Sequence, residues 1–400
     1  MNLSPRPRAM QLSACIALVL AAASVQARPL AQAQDPEGEP WQDNVIAPDD
    51  LPKLPEDTEP EFDPSGLPRS LGVEFIASLT ERGDRDFNEF GLRFSGFRET
   101  ESLGTWSLDA TALRSDDRDG GGGGEFGGTA TMWQRGLAMH GDWLGNNGVG
   151  VLNTPAVPLL RDQFRFFLPS VPMAGLSTEW RKGRGDVHWV ASAGRAGVFD
   201  GARVVGFDLA DGSVASLGTQ WKLGSGWEAS FSALSTDGRI VPDDQGGSLF
   251  QEGDSQGVHL ALGRDGGKNG LILNLQGSDG EAGSAWGAWL DARHERGALS
   301  HRYGLFRLGP DLGWGGQPIN NDSQGAYYRV NYGSARWTLS GGLDRIASVS
   351  GDSFDGWYAT SYARYQPGPS LGYGGNLSLR RSDAGQTVSG LWFVDKRNRW

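Results

Sequence analysis

Three things are scarce in this chain. Cysteine occurs once in 400 residues, at Cys15. Only five of the 36 basic residues are lysine: Lys53, Lys182, Lys222, Lys268 and Lys396. Past the extreme N-terminus there is no apolar run of about 18 residues or more. The single cysteine leaves no disulfide framework. The five histidines, His140, His188, His259, His294 and His301, show no ligand spacing for a structural zinc site. The lysine deficit fits a GC-rich genome. Without a long apolar run there is no membrane helix, but strands of about 9–11 residues with every second residue apolar can still cross a bilayer. The net charge of −12 argues against nucleic acid as a partner, because phosphate contacts need a basic face.

What is present points the other way from a helical protein. There are 61 glycines and 15 tryptophans in a chain of mean hydropathy −0.40. Glycine disfavours helix interiors, and aromatics favour strands. Residues 1–27 read as a signal peptide. Arg6 and Arg8 precede an apolar stretch from Leu12 to Val25, and Val25-Gln26-Ala27 offers a cleavage site after Ala27. Cys15 lies inside that stretch rather than after it, so lipidation is not expected. Residues 28–69 hold nine prolines, eleven acidic and three basic residues. Such a leader cannot bury a core and is expected to be a disordered tether.

From Ser70 onward the pattern has a period of two. Leu71, Val73, Phe75, Ala77 and Leu79 alternate with Gly72, Glu74, Ser78 and Thr80. Trp106, Leu108, Ala110 and Ala112 alternate with Thr105, Ser107, Asp109 and Thr111. Similar segments begin at Trp227, Trp286, Trp337 and Tyr373. Each is a strand with one apolar and one polar face. Roughly 18 such segments are too many for one sandwich and suit a membrane barrel. Trp106, Trp189, Trp221, Trp227, Trp337, Trp357, Tyr365 and Tyr373 lie near segment ends, where interfacial girdles form. The fold expected is an all-β antiparallel transmembrane β-barrel of roughly 16–20 strands over residues 70–400. Short turns such as 222–226 and 332–335 and longer stretches at 116–125, 237–255 and 309–323 do not alternate cleanly along the sequence.

Residues 144–174 depart from the pattern. Pro155, Pro158, Pro169 and Pro172 argue against ordinary central strands. Arg161, Phe164, Arg165, Phe166 and Phe167 mark this stretch as a surface loop or as a plug or constriction in the lumen, because three phenylalanines need something to pack on. Charged residues on the polar faces are candidates to line a pore: Arg93, Asp109, Asp291, Arg293, Arg329, Arg336, Asp344, Arg364 and Arg380. Cross-strand ion pairs bracing the wall would use the same residues. Gly253-Asp254-Ser255-Gln256-Gly257 matches the G-x-S-x-G pattern, but no helix follows it, so no nucleophile elbow is expected. No catalytic site, cofactor or metal is expected. The acidic run Asp116-Asp117-Arg118-Asp119 reads as a solvated loop.

On these features the chain resembles a Gram-negative outer-membrane barrel. Segments such as Ser102-Leu103-Gly104-Thr105-Trp106-Ser107-Leu108, with an irregular insert after several strands, are loosely similar to fimbrial ushers. The chain departs from ushers in lacking mature cysteines and a folded domain ahead of the barrel. The resemblance implies a porin-like channel in the outer membrane of a Gram-negative bacterium. Alternatives are a secretion channel for pilus subunits or exopolysaccharide, and a structural or adhesive surface barrel. Implied partners are outer-membrane lipid and lipopolysaccharide, the barrel-assembly machinery, periplasmic chaperones, and a secreted polymer or pilus subunit under the alternatives.

Overall fold

The computed structural model describes residues 66–396, apart from 83–84, 118–124, 184, 201–202, 239–253, 281–282 and 352–353. Residues 1–27, expected to be a signal peptide, nearly all of 28–69, expected to be a disordered leader, and Arg118 and Asp119 of the acidic run therefore lie outside the described residues.

Eighteen strands form one antiparallel sheet. They are β1 (Arg69–Arg82), β2 (Arg85–Thr100), β3 (Gly104–Asp117), β4 (Glu125–Met139), β5 (Trp143–Asn153), β6 (Pro172–Lys182), β7 (Val187–Asp200), β8 (Gly206–Gly224) and β9 (Trp227–Asp237). They continue with β10 (Ser255–Asp265), β11 (Asn269–Gly280), β12 (Gly283–Arg296), β13 (Leu299–Leu308), β16 (Ser323–Gly333), β17 (Trp337–Ala347), β18 (Gly356–Gly368), β19 (Leu371–Ser382) and β20 (Gly385–Lys396). Each pairs with the next in sequence, from β1 with β2 through β19 with β20. The eighteen strands follow one another as an up-and-down meander, and no ladder joins β1 to β20 among the described residues. A separate hairpin, β14 (Gly313–Trp314) with β15 (Gln317–Pro318), interrupts the connection after β13.

The connections sort by length, contrary to the impression from sequence. At one end of the sheet they are 101–103, 140–142, 183–186, 225–226, 266–268, 297–298, 334–336 and 369–370, none longer than four residues. Every connection longer than four, including 154–171 and 309–322, joins strands at their other ends. The sequence does not show this directly, because the pattern depends on strand ends that alternation alone does not mark, and because three connections at the long-loop end are only two residues long. The turn at Ser225 and Gly226 shows how the tight end is made. Both residues have positive φ, 52° and 77°, as a type I′ hairpin turn requires.

The two faces of the sheet are inverted relative to a soluble protein. Along β10 the pattern alternates strictly, and the apolar residues are the exposed ones. Val258, Leu260 and Leu262 are 49%, 50% and 37% exposed, while His259 and Ala261 between them are 0% and 6% exposed. On β1, Leu71, Val73, Phe75 and Leu79 are all exposed. Each such side chain would gain about 1.5–3 kcal/mol on leaving water, so a surface of this kind demands an apolar solvent. The opposite face carries Ser230, Ser232, Thr236, Asn274 and Gln276, all buried.

Candidate functional site: the lumenal insert

The irregular stretch is narrower than the sequence suggested. Residues 144–153 and 172–174 pair within β5 and β6. Pro172 takes the first position of β6, where a missing N–H is tolerated. Only residues 154–171 leave the sheet. Their neck is closed by two bonds: the Thr154 N–H donates to the Val171 carbonyl at 2.9 Å, and the Val171 N–H donates to Thr154 Oγ1 at 2.9 Å. Pro155 cannot donate to a ladder, which helps end β5. Pro158 opens a single helical turn, α1 (Pro158–Arg161), at the position where proline is favoured.

The insert crosses the inner face of the sheet. Val157 and Leu160 pack on Val190 of β7. The Leu159 N–H donates to Gln220 Oε1 of β8 at 2.8 Å. Gln163 is the hub. Its Nε2 donates to the Leu159 carbonyl at 2.8 Å and to Asn274 Oδ1 of β11 at 3.0 Å, and its Oε1 accepts from Trp289 Nε1 of β12 at 3.0 Å. Phe166 packs on Trp289 and on Phe306 of β13, with ring centres 5.8 and 5.0 Å away. Phe164 lies 5.6 Å from the ring of Tyr327 on β16, under the Arg302 guanidinium. One segment touching the inner faces of strands from β7 to β17 requires the sheet to curl around it.

Arg165 ends this path. Its Nη1 lies 2.5 Å from Asp344 Oδ1 on β17, and Arg329 Nη2 on β16 lies 2.5 Å from the other carboxylate oxygen. The Arg165 guanidinium also faces the rings of Phe166, Phe306 and Tyr327 at 5.6, 5.0 and 5.1 Å. Tyr327 in turn donates to Asp291. Phe167 stands apart, 60% exposed.

Two further connections from the long-loop end fold inward. Glu89 on β2 accepts the backbone N–H groups of Arg203 and Val204 at 2.7 and 3.2 Å. Val204 is pressed so close to Gly91 that a Cβ there would meet its methyl group at 2.5 Å. The connection 309–322 sends Leu312 into the cluster with Phe166 and Trp289, and Trp314 into one with Val171, Met173 and Leu234.

Below α1 is a cavity of about 890 Å³ that reaches the short-turn end at Gly185, Asp265 and Gly270. Its charged lining on the inner face and insert is balanced: Arg161, Arg181, Lys222, Arg293 and Arg302 against Asp162, Glu179, Glu228, Asp265 and Asp291. Arg293 pairs with Asp265 at 2.8 Å, and Glu179 lies 2.8 Å from His188 and 3.9 Å from Arg161.

The charged residues expected to line a pore fall in different places. Arg93 and Asp109 lie on the inner faces of β2 and β3, in register with Glu74 and Ser95. Arg364 pairs with Asp395 at 2.9 Å, and Arg380 stacks 4.7 Å over Phe354. Asp291 is largely buried beneath Phe164 and Tyr327. Arg336 lies off the inner face, in the turn between β16 and β17. The sequence reading missed Gln163, Phe306 and Tyr327. Its one available signal was Trp289, a large aromatic on the otherwise polar face of β12.

On the outer face, aromatic side chains form a belt at the short-turn end. Trp106, Trp143, Trp180, Trp189, Trp221, Trp227, Trp337, Tyr365 and Tyr373 all belong to the outward set of their strands and lie near that end. Trp143 meets Trp189 edge-on at 6.3 Å, and Trp337 meets Tyr365 at 4.6 Å. An apolar band, an aromatic girdle, a polar interior and long connections confined to one end occur together. This is a transmembrane β-barrel of the outer-membrane type. The chain matches no protein-family model and no curated protein. Among solved structures it is similar to OpdQ of Pseudomonas aeruginosa, at 14% identity over 82% of this chain and 97% of that one, with a TM-score of 0.43. It is also similar to the outer membrane protein opdK of P. aeruginosa, at 16% identity over 81% and 95%, TM-score 0.42. A third is a BenF-like porin from Pseudomonas fluorescens Pf-5, at 13% identity over 82% and 97%, TM-score 0.41.

Proposed function

We propose that this chain is a porin-like channel in the outer membrane of a Gram-negative bacterium, passing small hydrophilic solutes by diffusion. Residues 154–171 narrow its lumen. The observation that carries this reading is the insert itself: a strap pinned across the polar inner face by Gln163 and Arg165, within a wall whose outer face is apolar. A protein with no passage to regulate has little use for such an internal strap. The long connections face the outside and the short turns the periplasm, as in other barrels of this kind. The insert leans on β7 to β17, so the solute path follows the wall of β18, β19 and β1, past Tyr362, Arg364, Asn376, Arg380 and Glu74. Arg93 and Asp109 continue that wall, and charges placed so can bias ion selectivity.

An usher-type role has less support, because the insert is a strap of eighteen residues rather than a folded plug domain. Membrane lipid and lipopolysaccharide are the partners the outer face fits, with periplasmic chaperones and the assembly machinery needed for insertion.

The test is conductance in planar bilayers. The purified mature protein should conduct ions, and replacing residues 156–168 by two glycines should raise single-channel conductance severalfold. A folded protein that is silent both with and without the insert sinks the channel reading.

A further inference from the structure

We infer that the outer face of the barrel carries a binding site for one divalent transition-metal ion, held by His294 and His301. The two histidines are directly opposite each other on β12 and β13. They belong to the same outward set as Trp286, Ala288, Leu290 and Ala292 on β12, and lie between that apolar band and the turn at 297–298. Their rings are 6.1 Å apart at 27°, nearly parallel.

The hydrogen bonds around the pair select its chemistry. His294 Nδ1 lies 2.5 Å from Asn269 Oδ1, and Asn269 is the residue opposite it on β11. Asn269 Oδ1 can only accept, so the His294 proton is held on Nδ1. His301 Nδ1 lies 2.7 Å from the Tyr328 hydroxyl on β16, which can accept in the same way. His294 Nε2 then presents its lone pair, and His301 Nε2 does the same in the tautomer whose Nδ1 donates to Tyr328; neither Nε2 has a hydrogen-bond partner among the described residues. A metal-bound histidine is usually arranged like this, with the far ring nitrogen donating to an oxygen that fixes ring orientation and tautomer. Four adjacent strands thus supply a row of polar outward residues, two ligands and two supports, where neighbouring strands place tryptophan.

The distance is within reach. With Zn–N bonds of about 2.0–2.1 Å, two adjacent imidazole ligands have ring centres roughly 5 Å apart. Small χ rotations of exposed side chains would close the present gap by about 1 Å. Imidazole nitrogen suits Zn²⁺ and Cu²⁺, whereas Mg²⁺ and Ca²⁺ prefer oxygen. Water fills the remaining positions, because no carboxylate of the outward set adjoins the pair: Glu295 lies on the opposite face, paired with Ser300. The site is independent of whether the lumen conducts.

The mature protein, folded in detergent and stripped with a chelator, is titrated with Zn²⁺ by calorimetry. One site in the micromolar range is expected. His294→Ala and His301→Ala should each weaken it by tenfold or more, and Asn269→Ala by about tenfold through loss of ring orientation. Zn²⁺ should raise the unfolding temperature of the parent, because it clips β12 to β13, and should not raise that of the double variant H294A/H301A. Cu²⁺ bound at the site should show coupling to two nitrogens in its electron paramagnetic resonance spectrum, and to one in either single variant. Folding of each variant is checked by heat-modifiable gel migration, with His294→Gln and His301→Gln in reserve. Absence of binding by the parent overturns the inference. So does Zn²⁺ affinity unchanged in the folded double variant.

Discussion

Removing the Arg165 side chain should loosen the lumenal strap while leaving the wall intact. Asp344 is 3% exposed and accepts from Arg165 and Arg329, both at 2.5 Å. A hydrogen bond to a charged group contributes about 1.5–3 kcal/mol. Arg165 also faces three aromatic rings, and cation–π contacts are worth about 0.5–1 kcal/mol each at wet sites, less than additively when one guanidinium serves all three. Arg165→Ala should therefore cost about 2–4 kcal/mol of the hold on the insert. The wall keeps its own pair, Arg329 with Asp344. Asp344→Asn differs: it leaves two guanidinium groups without their shared counter-charge, and breaking a buried pair costs up to about 3–5 kcal/mol, less where water reaches the arginines. At about 1.4 kcal/mol per tenfold, the released population should rise by roughly 30-fold to 1,000-fold in R165A. Single-channel recording should show more frequent or larger open events, and limited proteolysis should cut near Phe167, which is already exposed. A double-mutant cycle of R165A with D344A should return a coupling of about 1.5–3 kcal/mol. If both single variants fold and keep the parent's conductance trace and protease resistance, the pair is not what holds the strap.

Three other substitutions probe the faces and the core of the lumen. Leu260→Arg, on the lipid-facing side of β10, should cost about 2–4 kcal/mol and lower the folded fraction in lipid vesicles. Asn376→Arg on the inner face of β19 should fold as the parent does, and equal yields for the two would refute the assignment of faces. Trp289→Ala removes a side chain 2% exposed, its packing on Phe166 and its bond to Gln163. It should cost about 3–5 kcal/mol, read as a lower temperature of gel-shift unfolding, with conductance raised as the insert loosens.

The fold was largely legible because strand alternation is local. Trp106, Leu108, Ala110 and Ala112 announce one face of β3 without reference to any partner. Direction was legible too, since the apolar face of a long series of short strands must meet lipid or another sheet. The alternation of short and long connections was not, because it depends on strand ends to within two residues. The prolines flagged the insert, but its true extent, 154–171, depends on β5 and β6 pairing with each other across it. The partners of Arg165 and Gln163 were beyond reach. Asp344 is 179 residues from Arg165 in sequence, and Asn274 is 111 from Gln163, so only the curl of the sheet brings them together. Arg336 was drawn into the polar face of β17 because the period continues through it, although the chain has already turned there.

The paired bonds at Thr154 and Val171 have a consequence for how such a barrel can change over time. They bring the two ends of an eighteen-residue excursion side by side, so the wall beneath registers only a join between neighbouring strands. Lengthening, shortening or rewriting that excursion leaves the ladder of β5 and β6 undisturbed. The excursion can therefore drift as a replaceable cassette while the frame of strands stays fixed.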